Sequence, residues 1–316
     1  MESFLSVLQF SVSITLPIFF ILALGALLNY LRMINDNFID VASKLVFNIT
    51  LPALLFISIV KTDLTQSTDF SLPIFAVTCV LLLFLVFEFV TAKLVKNKAD
   101  RGVIVQGAFR SNMGIIGLAY CVNAYGDSAF SIASIYLGSV TILFNILSVI
   151  TLNRSFNKQA NIANTLKGIV KNPLIISIVS ATIISSLGIS LPESILKTGS
   201  YFAQMTLPLA LLCAGATLSF SALKNDLPLS SMASIGKLLI KPLVITLAGI
   251  LWGFRGMELG VIFLMSSAPS ASAGYIMVRA MAGNAKLAAN IIVLTTMLSL
   301  ISTSIGITLL RSYGLI

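Results

Sequence analysis

The sequence predicts an all-α polytopic membrane protein: ten transmembrane helices, built as two five-helix repeats of opposite orientation, with the fourth helix of each repeat broken. Three observations predict it. Only 10% of the 316 residues are charged, 57% belong to the set AVILMFWYC, and the mean hydropathy is +1.02; a water-soluble domain carries roughly 25% charged residues. The apolar residues fall into ten runs, each near the ~20 residues that cross about 30 Å of hydrocarbon. Prolines and glycines of the first half recur in the second at a nearly constant offset.

The runs cover residues 10–31, 38–60, 70–94, 102–123, 128–151, 172–190, 195–220, 234–254, 258–280 and 285–310. No Lys or Arg precedes Arg32, so the first run lacks the basic flank of a signal peptide and is expected to be retained. The second contains Thr50-Leu51-Pro52, and the third contains Glu88, the only acid well inside an apolar run. The fourth is interrupted by Gly107-Ala108-Phe109-Arg110-Ser111-Asn112. After the fifth comes the longest polar link, 153–171, too short for a soluble domain; it divides a first repeat (1–152) from a second (172–316). The sixth run opens on Lys171-Asn172-Pro173, the seventh contains Thr206-Leu207-Pro208, and the ninth is interrupted by Ser266-Ser267-Ala268-Pro269-Ser270.

Lys and Arg in short links set orientation. The odd-numbered links hold twelve: Arg32, Lys93, Lys96, Lys98, Arg101, Arg154, Lys158, Lys167, Lys171, Lys224, Arg279 and Lys286. The opposite side holds four, Lys61, Lys197, Arg255 and Arg311, while Lys44, Arg110, Lys237 and Lys241 fall within helices or near their ends. This split places the odd links in the cytoplasm, with both termini outside. The net charge of +9 is then a topology signal rather than a nucleic-acid footprint.

The repeat is read from matched neighbours. Pro17 and Pro173 are 156 residues apart, as are Pro52 and Pro208, both in Thr-Leu-Pro. Pro73 and Pro228 are 155 apart, each after Leu, and Gly102-Val103-Ile104 recurs 158 residues on as Gly260-Val261-Ile262. Five helices is an odd number, so the second half enters the membrane from the opposite side. Such inverted repeats are typical of secondary transporters, whose sites are built by interrupted helices.

Non-helical backbone inside a membrane survives only when buried in protein or lining a cavity. The interrupted fourth and ninth runs are where the sequence asks for it. Gly107, Gly114 and Gly117 surround Arg110-Ser111-Asn112, and Pro269 removes an N–H within a run of serines. The 158-residue offset sets Pro269 opposite Ser111 and Ser270 opposite Asn112. Small residues there would also serve close helix packing. Arg110 lies nine residues past Arg101, so roughly 13 Å deep, where an arginine costs about 2.5–3.5 kcal/mol on insertion scales. Two roles fit it: recognition of an anion, or an ion pair with Glu88. Glu88 could itself couple protons, or face the cytoplasmic headgroups beside Lys93. Asn48 and Gln204, each four residues before its Thr-Leu-Pro proline, either face a cavity or knit helices.

Enzymatic readings have little to stand on. The chain has no histidine, no phosphate-binding loop and no intramembrane aspartate pair, and Cys79, Cys121 and Cys213 lack metal or redox spacing. No cofactor or metal is expected.

The segment from Gly107 through Arg110-Ser111-Asn112-Met113-Gly114 to Gly117, with Lys171-Asn172-Pro173-Leu174 and Ser267-Ala268-Pro269-Ser270-Ala271, resembles the auxin efflux carrier family along essentially the whole chain. The resemblance implies a five-plus-five inverted fold shared with sodium–bile acid symporters. In that fold helices 1, 2, 6 and 7 form a scaffold, and helices 3–5 and 8–10 form a mobile unit whose broken helices 4 and 9 cross. It also implies a small carboxylate as substrate, since bacterial members include malate and malonate permeases, and a homodimer, since plant members are dimers. Asn112 matches a substrate-contacting crossover asparagine of the plant members; the second crossover has Ser270 in that place. The expected function is a carrier for a small organic anion, with Arg110, Ser111, Asn112, Gly114, Ser267, Pro269 and Ser270 at the site. The other readings are a sodium-coupled symporter of the same fold, or a non-transporting sensor or channel.

Overall fold

The computed structural model describes residues 4–60, 70–156, 171, 173–216 and 227–316. Lys61, Lys158, Lys167 and Lys224, part of the charge-bias argument, lie outside them. The described residues are helical with short connections and no strand. In chain order the helices are α1 (Phe4–Tyr30), α2 (Asp36–Leu45), α3 (Leu51–Val60), α4 (Ser71–Leu94), α5 (Lys98–Phe109), α6 (Leu118–Tyr125) and α7 (Ala129–Phe156). Then follow α8 (Pro173–Ser186), α9 (Glu193–Ala216), α10 (Leu227–Ile235), α11 (Lys241–Trp252), α12 (Gly256–Ser267), α13 (Ser272–Ala280) and α14 (Ala285–Ser312).

Among the described residues, five stretches are long and apolar enough to cross a membrane: Asp36–Ile57, Ser71–Leu94, Met113–Phe156, Leu227–Trp252 and Ala285–Ser312. Their outward faces carry Phe47, Leu82, Phe89, Leu251 and Ile305, all exposed, as side chains facing lipid should be. The 44-residue stretch Met113–Phe156 is more than one crossing needs. It turns at Gly126, whose φ of +67° only glycine adopts without strain.

Two of the spans carry a wide turn just before a proline. Val46–Thr50 precedes Pro52, and Gly236–Ile240 precedes Pro242. Proline lacks an N–H and its ring crowds the carbonyl four residues back, and a π-type turn relieves both. Ser177 Oγ donates to the Pro52 carbonyl at 2.5 Å, which ties α8 to this bend.

The helices pack in two groups. α1 lies along α9, and α3 packs on both α8 and α9; α5 packs on α4 and α7, while α14 packs on α10, α12 and α13. Contacts of α1 with α14 and of α3 with α7 join the groups. Where α1 meets α9 the backbones touch. A Cβ on Gly25 would overlap the Leu212 carbonyl, and one on Gly215 would overlap the Leu22 carbonyl. Small residues allow this approach where no hydrophobic effect drives helices together.

Candidate functional site at a helix crossing

Helix α5 stops at Phe109 and α12 at Ser267, both deep in the protein. Arg110 (φ −82°, ψ 111°) and Ala268 (φ −53°, ψ 140°) are extended. For Ala268 the cause is local: the ring of Pro269 drives the preceding residue out of helical backbone. No proline explains the first break, and there the second segment supplies the partner. Ser111 and Ser270 pair as an isolated antiparallel bridge. The Asn112 N–H donates to the Pro269 carbonyl at 2.7 Å, and the Ala271 N–H donates to the Arg110 carbonyl at 3.2 Å. Each break thus satisfies backbone groups freed by the other, which a membrane interior demands. Ser270 fastens the crossing further, donating its Oγ to the Gly107 carbonyl (2.6 Å) and its N–H to Thr295 Oγ1 (3.2 Å). Gly117 leaves room for it, since a Cβ there would sit 2.8 Å from Met265 Sδ.

The offset argument expected Pro269 opposite Ser111 and Ser270 opposite Asn112. The structure pairs Ser111 with Ser270 and Asn112 with Pro269 instead. The reason is directional: equivalent residues of a repeat share a role, whereas antiparallel segments pair with running indices reversed.

Four half-helix ends meet here. The C-terminal ends of α5 and α12 present free carbonyls and negative partial charge; the starts of the Met113–Gly117 turn and of α13 present positive partial charge. Two lysines answer the carbonyls. Lys237 and Lys241 are 0% and 1% exposed, four residues apart and so on one helix face. Lys237 donates to Ser111 Oγ and to the Ser266 carbonyl (3.1 Å). Lys241 donates to Ser111 Oγ (2.5 Å) and to the Phe109 carbonyl (2.8 Å), with its Nζ 5.1 Å from the centre of the Phe144 ring. Sequence reasoning noticed both lysines only as charges outside the links. The signal it passed over was two cations one turn apart in a span where each is costly.

Arg110 lies at the turn itself. Nη1 donates to Ser148 Oγ (3.1 Å) and Met277 Sδ (3.1 Å), and Nη2 to Asn145 Oδ1 (2.9 Å). All three partners are neutral. Two of its five N–H donors, one on Nε and one on Nη2, have no partner among the described residues. Glu88 is not its counter-ion: that carboxylate accepts from Thr151 Oγ1 and pairs with Arg154 at 3.3 Å near the end of α7. The expected alternative of an Arg110–Glu88 pair is therefore corrected. Arg154, on the same face of α7 as Thr151, is the nearer cation.

The other predicted residues divide. Ser111, Asn112, Pro269 and Ser270 form the crossing, and the half-buried Asn112 carboxamide has no partner among the described residues. Gly114 lies in the following turn against Leu51, where a Cβ would come within 3.3 Å of a leucine methyl. Ser267 is buried and donates back to the Leu264 carbonyl at 3.2 Å. Asn48 and Gln204 are not brought to the site. Both are exposed, and Asn48 donates to the Lys44 carbonyl of its own helix (2.8 Å), which fits neither a cavity nor a helix–helix role. A small cleft beside the crossing is lined by Gln106, Gly107, Ser270, Ala271, Gly274 and Tyr275.

A family described as membrane transport protein matches residues 10–307 of this chain. The chain belongs to that family. Curated relatives agree over nearly their whole length. An uncharacterized transporter of Methanothermobacter thermautotrophicus is 24% identical over 295 residues, 92% of this chain and 96% of the relative. Another from Methanocaldococcus jannaschii is 24% identical over 297 residues, covering 91% and 95%. A third, from Escherichia coli strain K12, is 25% identical over 276 residues, covering 85% and 88%. The resemblance read from the crossing motifs is borne out at the level of this transport family.

Proposed function

We propose that the chain is a secondary carrier for a small organic anion, a carboxylate, in the bacterial inner membrane. It has ten spans in two inverted five-helix repeats, and works by elevator-type alternating access. The observation that carries the reading is a half-buried guanidinium beside two broken helices, which among the described residues is held by neutral groups and retains two unused donors. A carboxylate takes two parallel N–H donors bidentately. The free carboxamide of Asn112 and the positive helix starts at Met113 and Ser272 add hydrogen-bonding capacity beside it.

The pairing across the crossing supports the inverted repeat. Ser111 meets the equivalent of Asn112, and Asn112 meets the equivalent of Ser111, a reciprocity that a two-fold axis through the crossing produces. The two packing groups, α1, α2, α3, α8 and α9 against the rest, fit the scaffold and the moving unit of the elevator. The test is uptake of malate, malonate and other small carboxylates into proteoliposomes holding the purified protein. Saturable, Arg110-dependent uptake of one of them supports the assignment, and a chain that moves cations or neutral solutes but no carboxylate refutes it.

A further inference from the structure

Among the described residues, the Lys237 and Lys241 side chains hydrogen-bond to each other, and their other polar partners are one hydroxyl, Ser111 Oγ, and two carbonyls, those of Phe109 and Ser266. The Phe144 ring adds a π-face below Lys241, and Phe144 is itself packed edge-on against Phe109 at 5.6 Å. These are neutral oxygens plus an aromatic face, the surroundings that stabilise a desolvated monovalent cation. The carbonyls are no ordinary acceptors. They belong to the last turns of α5 and α12, the negative ends of two half-helices that terminate inside the protein. In carriers built from inverted repeats, half-helix C-termini and unwound carbonyls are where coupling cations bind. Here the positive charge at that place is attached to the chain.

We propose that Lys237 and Lys241 are a tethered cation: one ammonium charge, shared through their mutual hydrogen bond, occupies the monovalent-cation site formed by the two half-helix ends and Ser111, so the crossing closes without bound sodium or potassium. The wide turn Gly236–Ile240, with Pro242 behind it, holds the two side chains on the inner face. The consequence for coupling, a carrier that does not need a sodium gradient, rests on the carrier reading above; the site itself rests on the contacts alone.

The test is thermal unfolding of the purified full-length protein in sodium, potassium and choline chloride at equal ionic strength. The wild-type midpoint is expected to be the same in all three. Lys237→Ala combined with Lys241→Ala vacates the space between the carbonyls. That variant is expected to unfold several degrees lower in choline, and to regain part of the loss in a saturable manner with sodium or potassium. Three results overturn the proposal: a saturable sodium- or potassium-specific rise in the wild type, a double variant as stable as wild type in choline, or a loss that no cation relieves. If the double variant does not fold, the wild-type salt series and the single alanine variants still decide. Each single variant keeps one ammonium and is expected to be indifferent to the choice of salt, and a cation-specific rise in either counts against the tether. No organic anion enters these measurements, so failure of the carboxylate assignment leaves them unaffected.

Discussion

Arg110→Ala removes the planar guanidinium at the crossing, a half-buried group with two charged donors unused among the described residues. Each hydrogen bond to a charged group contributes about 1.5–3 kcal/mol. Two of them to a bound carboxylate therefore amount to roughly 3–6 kcal/mol, or about 10²–10⁴-fold in affinity at 1.4 kcal/mol per decade. The fold should survive. The variant leaves Asn145 and Ser148 with one partner fewer, but it also removes the cost of a desolvated cation. Arg110→Lys keeps the charge and loses the planar fork, so its affinity should fall between the two. The assay is a titration of the proteoliposome-active carboxylate by thermal shift on purified wild type and both variants, with uptake measured in parallel. If Arg110→Ala binds the carboxylate as tightly as wild type while unfolding at a lower temperature, the arginine is a structural clasp between α5 and α7. The anion-site argument then collapses.

Glu88→Gln should cost no more than about 1 kcal/mol, because its partner Arg154 has a side chain 71% exposed and water screens the pair. Uptake should be unchanged; a loss of uptake in that variant would restore Glu88 as a coupling group. Gly25→Val forces a side chain into the Leu212 carbonyl, where overpacking costs about 1–3 kcal/mol, read as a lower unfolding midpoint of the purified protein. Ser270→Ala deletes the bond to the Gly107 carbonyl, worth about 1 kcal/mol. A double-mutant cycle with Thr295→Val should show coupling between the two positions, since both fasten the same turn.

The interruptions were legible because they break local rules. Proline without an N–H, serines in series and an arginine far from either end are features of a single stretch of chain, readable without knowledge of its neighbours. Which residue faces which across the crossing was not legible. The offset between repeats names equivalent positions, and the reversed pairing of Ser111 with Ser270 follows only when the two segments run antiparallel. The amides show the same limit from the other side. Asn48 and Gln204 share a motif, yet a motif does not say which side of a helix meets lipid, and both are exposed.

Composition and spacing alone determined that this chain is a bundle of apolar helices with two weak points, because the cost of bringing charge and unpaired backbone into hydrocarbon is levied residue by residue. The partners of the charges were decided by tertiary structure. Glu88 goes to Arg154 rather than Arg110, and Lys237 and Lys241 go to carbonyls more than one hundred residues away in the case of Phe109. An ion or a freed carbonyl interacts with whatever folding brings within about 3 Å, and that neighbour need not be close in sequence.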